Sequence, residues 1–538
     1  MTRSLLTFTA ALLLIVTSAC KRPETRVVVG DRTQTIHIGN LSEPSDLDPQ
    51  LVTSVTDSQI VICLMEGLTA MDPKDAHPVP GVAERWENSE DKLTWTFHLR
   101  NNARWSNGDP VTARDFAYSY QRILSPGLAS EYASLLYCLR GAEAFNTGKL
   151  TDFSQVGVRV IDDRTLALTL HTPVSYLPAL VMHQAWHPVH QATIEKFGKM
   201  DQRGSRWTRP ENYVGNGAFT LAAWEPNQVI RLAKSETYWD RDAVRLREVN
   251  FYPIEDRVTE EASFRAGQLH VSATLPSDKI ETYKRKHPEL LRQEPTLATY
   301  YLTYNTTKPP FDDARVRRAL ALVIDRAILC EKVLRGGRVP AYTLTPPGIA
   351  GYESKPGFKE DVAEARRILA EAGFKDGAGF PRIELLTAKG GSSQIPEALQ
   401  QMWRTQLGID IAIVQQEGRV FFDSLRTHDY QLSIAGWVGD YLDPSTFLEL
   451  FHTGNGNNHT GWSSATYDTL LVDALKAGDD KTRYPLYHQA EQLLMTEMPI
   501  GPLVYGRRNY LARPSVKGWE PNVLDLHPLK GVYLVPTP

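Results

Sequence analysis

No glycine-rich loop ending in Gly-Lys-Ser/Thr occurs in the 538 residues, which excludes nucleotide binding of the P-loop kind. HExxH and GxSxG are missing too, and with them the zinc-protease helix and the nucleophile elbow. Cysteine is scarce, at four residues, and forms no CxxC or Cys/His metal pattern. With Cys20 set aside, Cys63, Cys138 and Cys330 remain, an odd number at wide spacings. Free buried thiols are the favoured reading, and whether two of them pair is open. Neither sign of charge dominates: 59 Lys and Arg against 63 Asp and Glu give a net charge of −4, so no basic footprint points to nucleic acid. Beyond the first twenty residues no apolar run approaches the roughly 20 residues that span a bilayer.

What is present begins at the start of the chain. Arg3 precedes an apolar run from Leu5 to Val16, and Thr17, Ser18 and Ala19 precede Cys20. This is the order of a secretory signal. Residues 1–19 are expected to be a signal peptide and 20–26 a tether, with Cys20 placed like the acylated cysteine of a bacterial lipoprotein, although Thr17 stands where that signal usually has Leu. The rest is expected to be soluble and extracytoplasmic, held to a membrane by lipid.

Apolar content of 42% and charged content of 23% suit a globular chain of two to four domains. Trp95, Phe97 and Leu99 alternate with polar residues as in a half-buried strand. Val156, Val158 and Val160, a turn at Asp162-Asp163, and Leu166, Leu168 and Leu170 read as a hairpin. Helical periodicity runs from Val362 to Ala372 before Gly373, and again from Tyr487 to Met495. Ile383–Leu386 and Ile409–Val414 read as buried strands. The alternation predicts α/β domains with largely parallel pairing. Lys199–Asn212, rich in Arg, Gly and Pro, reads as a linker, and Pro346-Pro347-Gly348 as a break.

Candidates for chemistry are weak. His183, His187 and His190 have ligand-like spacing, but Pro188 interrupts a helix there and no carboxylate lies nearby, so loop histidines are the expectation. Gly454 and Gly456 lack the strand-turn-helix context of a phosphate site. The acid pairs Asp162-Asp163 and Asp312-Asp313 fall at turns, where Asp is expected. Neither catalysis nor a cofactor is expected.

The stretch Ala83–Arg122 contains Trp95-Thr96-Phe97-His98-Leu99-Arg100, Trp105-Ser106 and Gly108-Asp109-Pro110-Val111-Thr112-Ala113. Leu47-Asp48-Pro49, Asn216-Gly217-Ala218-Phe219, Tyr238-Trp239, Pro309-Pro310-Phe311 and Arg315-Val316-Arg317 follow in order. Together they resemble the extracellular solute-binding proteins of the dipeptide, oligopeptide and nickel class, family 5. Tyr132-Ala133-Ser134 and Gly436-Trp437-Val438-Gly439-Asp440-Tyr441 place the closest likeness with the oligopeptide binders.

The resemblance implies an α/β, periplasmic-binding-protein-like fold of two main lobes joined by a hinge, plus an inserted smaller domain. Domain I would combine 27–65, 191–298 and 508–538, domain II would be 66–190, and domain III 299–507. It implies a monomeric binding protein, not an enzyme, that captures oligopeptides and passes them to the permease and ATPase of an ABC importer. Asp440 would pair with the peptide ammonium, with Tyr132 near the same end. The backbone of Gly436, Trp437 and Val438 would pair with the ligand like a strand. Val55 would give main-chain contacts, and Arg426 would match a cleft arginine. Ile434 stands where close relatives have a cleft arginine, Gly418 where they have a tryptophan, and Ala298 with Val438 where some have a disulfide. Those departures leave a cell-wall murein peptide open as the ligand, and a peptide sensor or chaperone open as the role.

Overall fold

The computed structural model describes residues 24–389, 394–477 and 479–536. Three sheets carry the fold, one of six strands and two of four, with helices packed around them. In the Thr94–Leu99 strand the apolar Trp95, Phe97 and Leu99 are buried while Thr94, Thr96 and His98 are half-buried, the two-residue period of a pleated strand with one face on a core. It pairs with Ala83–Asn88 on one side and Thr165–Thr169 on the other, and the predicted hairpin Val158–Asp162/Thr165–Thr169 closes the sheet. The predicted helix spans Val362–Glu371. The Asp361 side chain accepts from the Glu364 N–H at its start, Ala365, Ile368 and Leu369 face inward, and Gly373 takes φ +96° just past its end.

The expectation of largely parallel pairing is corrected. Among the described strands only Thr35–Gly39 with Glu248–Tyr252, and Ile383–Ala388 with both Ile411–Gln416 and Leu432–Val438, pair in parallel, besides a single parallel bridge between Ile38 and Val271. Elsewhere short turns such as Pro226–Gln228 and Asp163–Arg164 join neighbouring strands, and a turn that short returns the chain antiparallel. Lys199–Asn212 is not a loose linker: Trp207 is buried against Tyr213, and the Met200 carbonyl accepts from Arg122 Nε.

The apolar residues form two large cores. One draws on Ile36 to Val271 and on the end of the chain, the other on Leu297 to Leu524. Two long paired strands, Leu291–Tyr304 and Ile500–Leu511, run from one core to the other, with their register shifting between Pro295 and Thr299. Few residues mix: Tyr441 belongs to the first core, and Ala76 and Met182 to the second. The result is a two-lobed α/β fold with a cleft where those residues meet.

Candidate functional site

The Leu432–Val438 strand forms one wall. Its antiparallel register with Leu291–Tyr304 sets Ala298 opposite Val438 and Thr299 opposite Trp437. The Gly439 N–H donates to the Leu297 carbonyl at 2.7 Å, and the Asn305 N–H donates to the Gln431 carbonyl at 3.0 Å. In an antiparallel ladder the residues that exchange hydrogen bonds alternate, so the odd-numbered residues, Trp437 among them, serve this pairing. Ile434, Gly436 and Val438 therefore turn their N–H and C=O groups to the opposite edge. The neighbour there, Ile383–Ala388, pairs only with Leu432 and Ser433. From Ile434 to Val438 the edge is open, with Gly436 exposed and Val438 51% exposed. Gly436 is needed for packing: a Cβ there would stand 2.6 Å from the Tyr300 ring.

Two residues on, Asp440 is anchored through its own N–H, which donates to Thr446 Oγ1 at 3.1 Å. Its half-buried carboxylate has neither a hydrogen bond nor an ion pair among the described residues, and burial alone pushes its pKa up to about 6. The Tyr132 hydroxyl is raised too, first by burial and then by the Asp440 charge. The Tyr132 ring meets His183 edge-on at 4.7 Å.

Two histidines of this wall have assignable tautomers. His183 Nδ1 accepts from the Ala185 N–H at 3.2 Å, which places its proton on Nε2. His187 Nε2 lies 3.2 Å from the Met182 carbonyl and so donates to it, leaving a buried Nδ1 without a partner. Burial pushes His183 down to about 3 and His187 down to about 4, so both are neutral at physiological pH. They flank a single turn, Gln184–Trp186, rather than sharing a helix face, and His190 turns away to Thr193 and Asp109. Both stand in bends outside any helix or strand, the loop positions expected, with His187 buried and His183 half-buried.

Asp440, His183 and His187 line a cavity of about 800 Å³, counting space open to solvent. Met65, Met71, Met182, Phe219, Ile62 and Leu526 supply much of its apolar wall. Its other charged groups are compensated within the protein. Glu66, raised by burial, accepts from Tyr238 Oη and Trp239 Nε1 at 2.5 Å each. Lys530 bonds Asp240 at 3.3 Å and lies over the Trp239 ring.

Of the residues singled out by sequence, Asp440 and Tyr132 come together, and Gly436, Trp437 and Val438 form the strand leading to them. Val55 is the first residue of the Val55–Leu64 helix, 44% exposed, while Ile62 and Cys63 near the other end line the cavity. Arg426 stands exposed at the end of the Gly418–Arg426 helix, where it pairs with Asp423 at 3.0 Å. Cys20 lies outside the described residues. Cys63, Cys138 and Cys330 are free thiols, the last two pushed up by burial to about 12 and about 11. The sequence reading missed Glu66, Lys530 and the three methionines, which carry no local signal, and marked Tyr238 and Phe219 as landmarks without placing them at the site.

Two α/β lobes linked by paired strands, with a lined cavity between them, define a periplasmic-type binding protein. The chain belongs to the bacterial extracellular solute-binding proteins, family 5, whose family 5 Middle model matches residues 77–459. It is 36% identical to the periplasmic oligopeptide-binding protein OppA of Escherichia coli, over 93% of each chain. Among solved structures, the murein tripeptide binding protein MppA of Escherichia coli superposes with a TM-score of 0.80 at 33% identity, covering 93% of this chain and 98% of the other. Haemophilus influenzae OppA in complex with the peptide RPPGFSPFR gives 0.78 at 32% identity, covering 94% and 99%. The family is one of extracytoplasmic binding proteins rather than enzymes.

Proposed function

We propose that this chain is the extracytoplasmic substrate-binding lipoprotein of an ABC-type importer, capturing oligopeptides between its lobes and delivering them to a membrane permease. The observation that carries the reading is the Asp440 carboxylate, partly buried and without a partner, at the end of an open strand edge. Any peptide brings a backbone for that edge and an ammonium for that carboxylate, so capture depends little on side chains. Closure would hinge on the two strands that run between the cores, and a ligand that prefers the closed form shifts the population toward it. The resemblance to OppA supports peptides in general. Ile434, apolar and on the open-edge parity where close relatives place an arginine, supports a ligand less anionic than theirs, while the likeness to the murein tripeptide binding protein supports a murein peptide as a second reading.

Native mass spectrometry of protein purified without refolding should show co-purified masses in the range of short peptides, and calorimetry should show their displacement by added peptide. Failure to bind any of a library of short peptides would overturn the reading. Lipid anchoring is tested separately: Cys20→Ser should move the protein from the membrane to the soluble fraction, and a mature N-terminus other than Cys20 would end that part.

A further inference from the structure

The cavity does not lie along the open strand edge. Of the Ile434–Asp440 segment only Asp440 lines it, and its walls come instead from the end of the Val55–Leu64 helix, from Met71, Met182 and Phe219, and from Leu524–Lys530. A peptide paired with the edge, with its ammonium on Asp440, reaches the mouth of this space with its first residue. That Cα is one bond from the ammonium, so the first side chain is the one placed to enter.

We propose that the cavity is a specificity subsite for a large, neutral apolar side chain on the first residue of the peptide, an inference that rests on the peptide-binding reading above. Counted with its opening to solvent the space measures about 800 Å³, and its lining comes from four stretches, Ile62–Met71, Ala179–His187, Gly217–Phe219 and Leu524–Lys530, besides Tyr238 and Asp440. The wall is apolar and adaptable: Met65, Met71 and Met182 are three of the eight methionines in the chain, and flexible thioethers repack around varied shapes and contact aromatic rings favourably. Apart from Asp440, which the peptide ammonium would occupy, the polar groups of the wall offer no free charge. His183 and His187 are neutral, Glu66 is held by Tyr238 and Trp239, and Lys530 is held by Asp240. A charged first side chain would be desolvated there without a counterion.

The test is calorimetry on tripeptides X-Ala-Ala and Ala-X-Ala, with X as Gly, Leu, Phe, Trp, Lys or Glu. Leu, Phe and Trp at the first position should bind at least about tenfold tighter than Gly, equivalent to about 1.4 kcal/mol. Lys and Glu should bind no tighter than Gly, and the ranking should vanish at the second position. Ala218→Leu, which narrows the cavity from the wall, should erase the preference for Phe over Gly. Should that variant misfold, the ranking on the unaltered protein still decides. Equal affinities for all first residues, with binding still lost on Asp440→Asn, would overturn the subsite while leaving peptide binding intact. No binding of any tripeptide would overturn both.

Discussion

Replacing Asp440 by Asn should move stability and affinity in opposite directions. The carboxyl titrates at about 6 in the folded protein against an ordinary value of 3.8, because burial penalises its ionised form. At about 1.4 kcal/mol for each tenfold change in the proton equilibrium, this rise corresponds to a cost on the order of 3 kcal/mol to the ligand-free protein. The sign follows from linkage: below 3.8 both folded and unfolded chains hold the proton and nothing is lost. Between 3.8 and 6 the unfolded chain ionises first and the cost grows, and above 6 it is complete. Asp440→Asn removes the ionisation but keeps a half-buried amide that pays part of the desolvation, so a gain of about 1–3 kcal/mol at pH 8 is expected.

Peptide binding should respond the other way. On the proposed reading the ammonium is the counterion of the carboxylate, and truncating one partner of such a pair costs about 2–5 kcal/mol, or roughly a factor of 30 to several thousand in affinity. Affinity of the unaltered protein should weaken as pH falls below 6, and that of Asp440→Asn should be flat between pH 5 and 7. At pH 6 binding should release about half a proton, read by calorimetry in buffers of different ionisation enthalpy. N-acetylating the peptide and mutating Asp440 remove one interaction, so their combined loss should be less than the sum. Urea midpoints at pH 8 lower than those of the unaltered protein, or additive losses in the binding cycle, would refute the reasoning.

Three further outcomes concern the scaffold. Arg122 is buried and bonds Asp48 at 3.1 and 2.6 Å and Gln50 at 2.7 Å, so Arg122→Met leaves a buried carboxylate unpaired and should cost about 3–5 kcal/mol in urea unfolding. Tyr176 joins the 66–190 segment to the far lobe, stacking on Tyr441 at 5.3 Å and donating at 3.2 Å to Glu449, which burial and then Asp443 push up to about 7. Tyr176→Phe removes a donor that favours the ionised carboxylate, so its cost should be about 1 kcal/mol at pH 5 and about 1.5–3 kcal/mol at pH 8, measured by paired denaturation curves. A Cβ on Gly217 would stand 2.5 Å from the Leu64 carbonyl carbon and 2.6 Å from the Cys63 oxygen, both backbone atoms, so Gly217→Ala should destabilise by about 1–3 kcal/mol in the same assay.

The fold was legible wherever one face of an element meets water. Trp95, Phe97 and Leu99 stand out because Thr94, Thr96 and His98 separate them, and Asp361 and Gly373 mark the ends of a helix with a solvated face. The Ile500–Leu511 strand escaped because it is buried along most of its length and shows no alternation. The helix seen at Tyr487–Met495 begins earlier, at Asp480, where the Asp479 side chain accepts from the Thr482 N–H, and it carries Pro485 in its interior, a residue that ordinarily marks a helix boundary. Lys199–Asn212 misled for the converse reason: its composition is that of a linker, but Trp207 buries it.

The site divides along the same line. Asp440 and the strand before it are contiguous in sequence, so a motif carries them together, and the parity of one register then decides which backbone groups are free. The cavity beyond Asp440 is assembled from Ile62, Met182, Phe219 and Leu526, each an ordinary core residue in its own segment, and only packing makes them one surface. His183 and His187 show how spacing misleads. Their four-residue separation suits metal ligands on a helix, yet the backbone between them is a single turn and burial holds both rings neutral. A backbone-reading edge serves any peptide equally, so selectivity has to come from surfaces the motif does not contain. On the proposed reading those surfaces are the cavity walls, which packing assembles from separate segments.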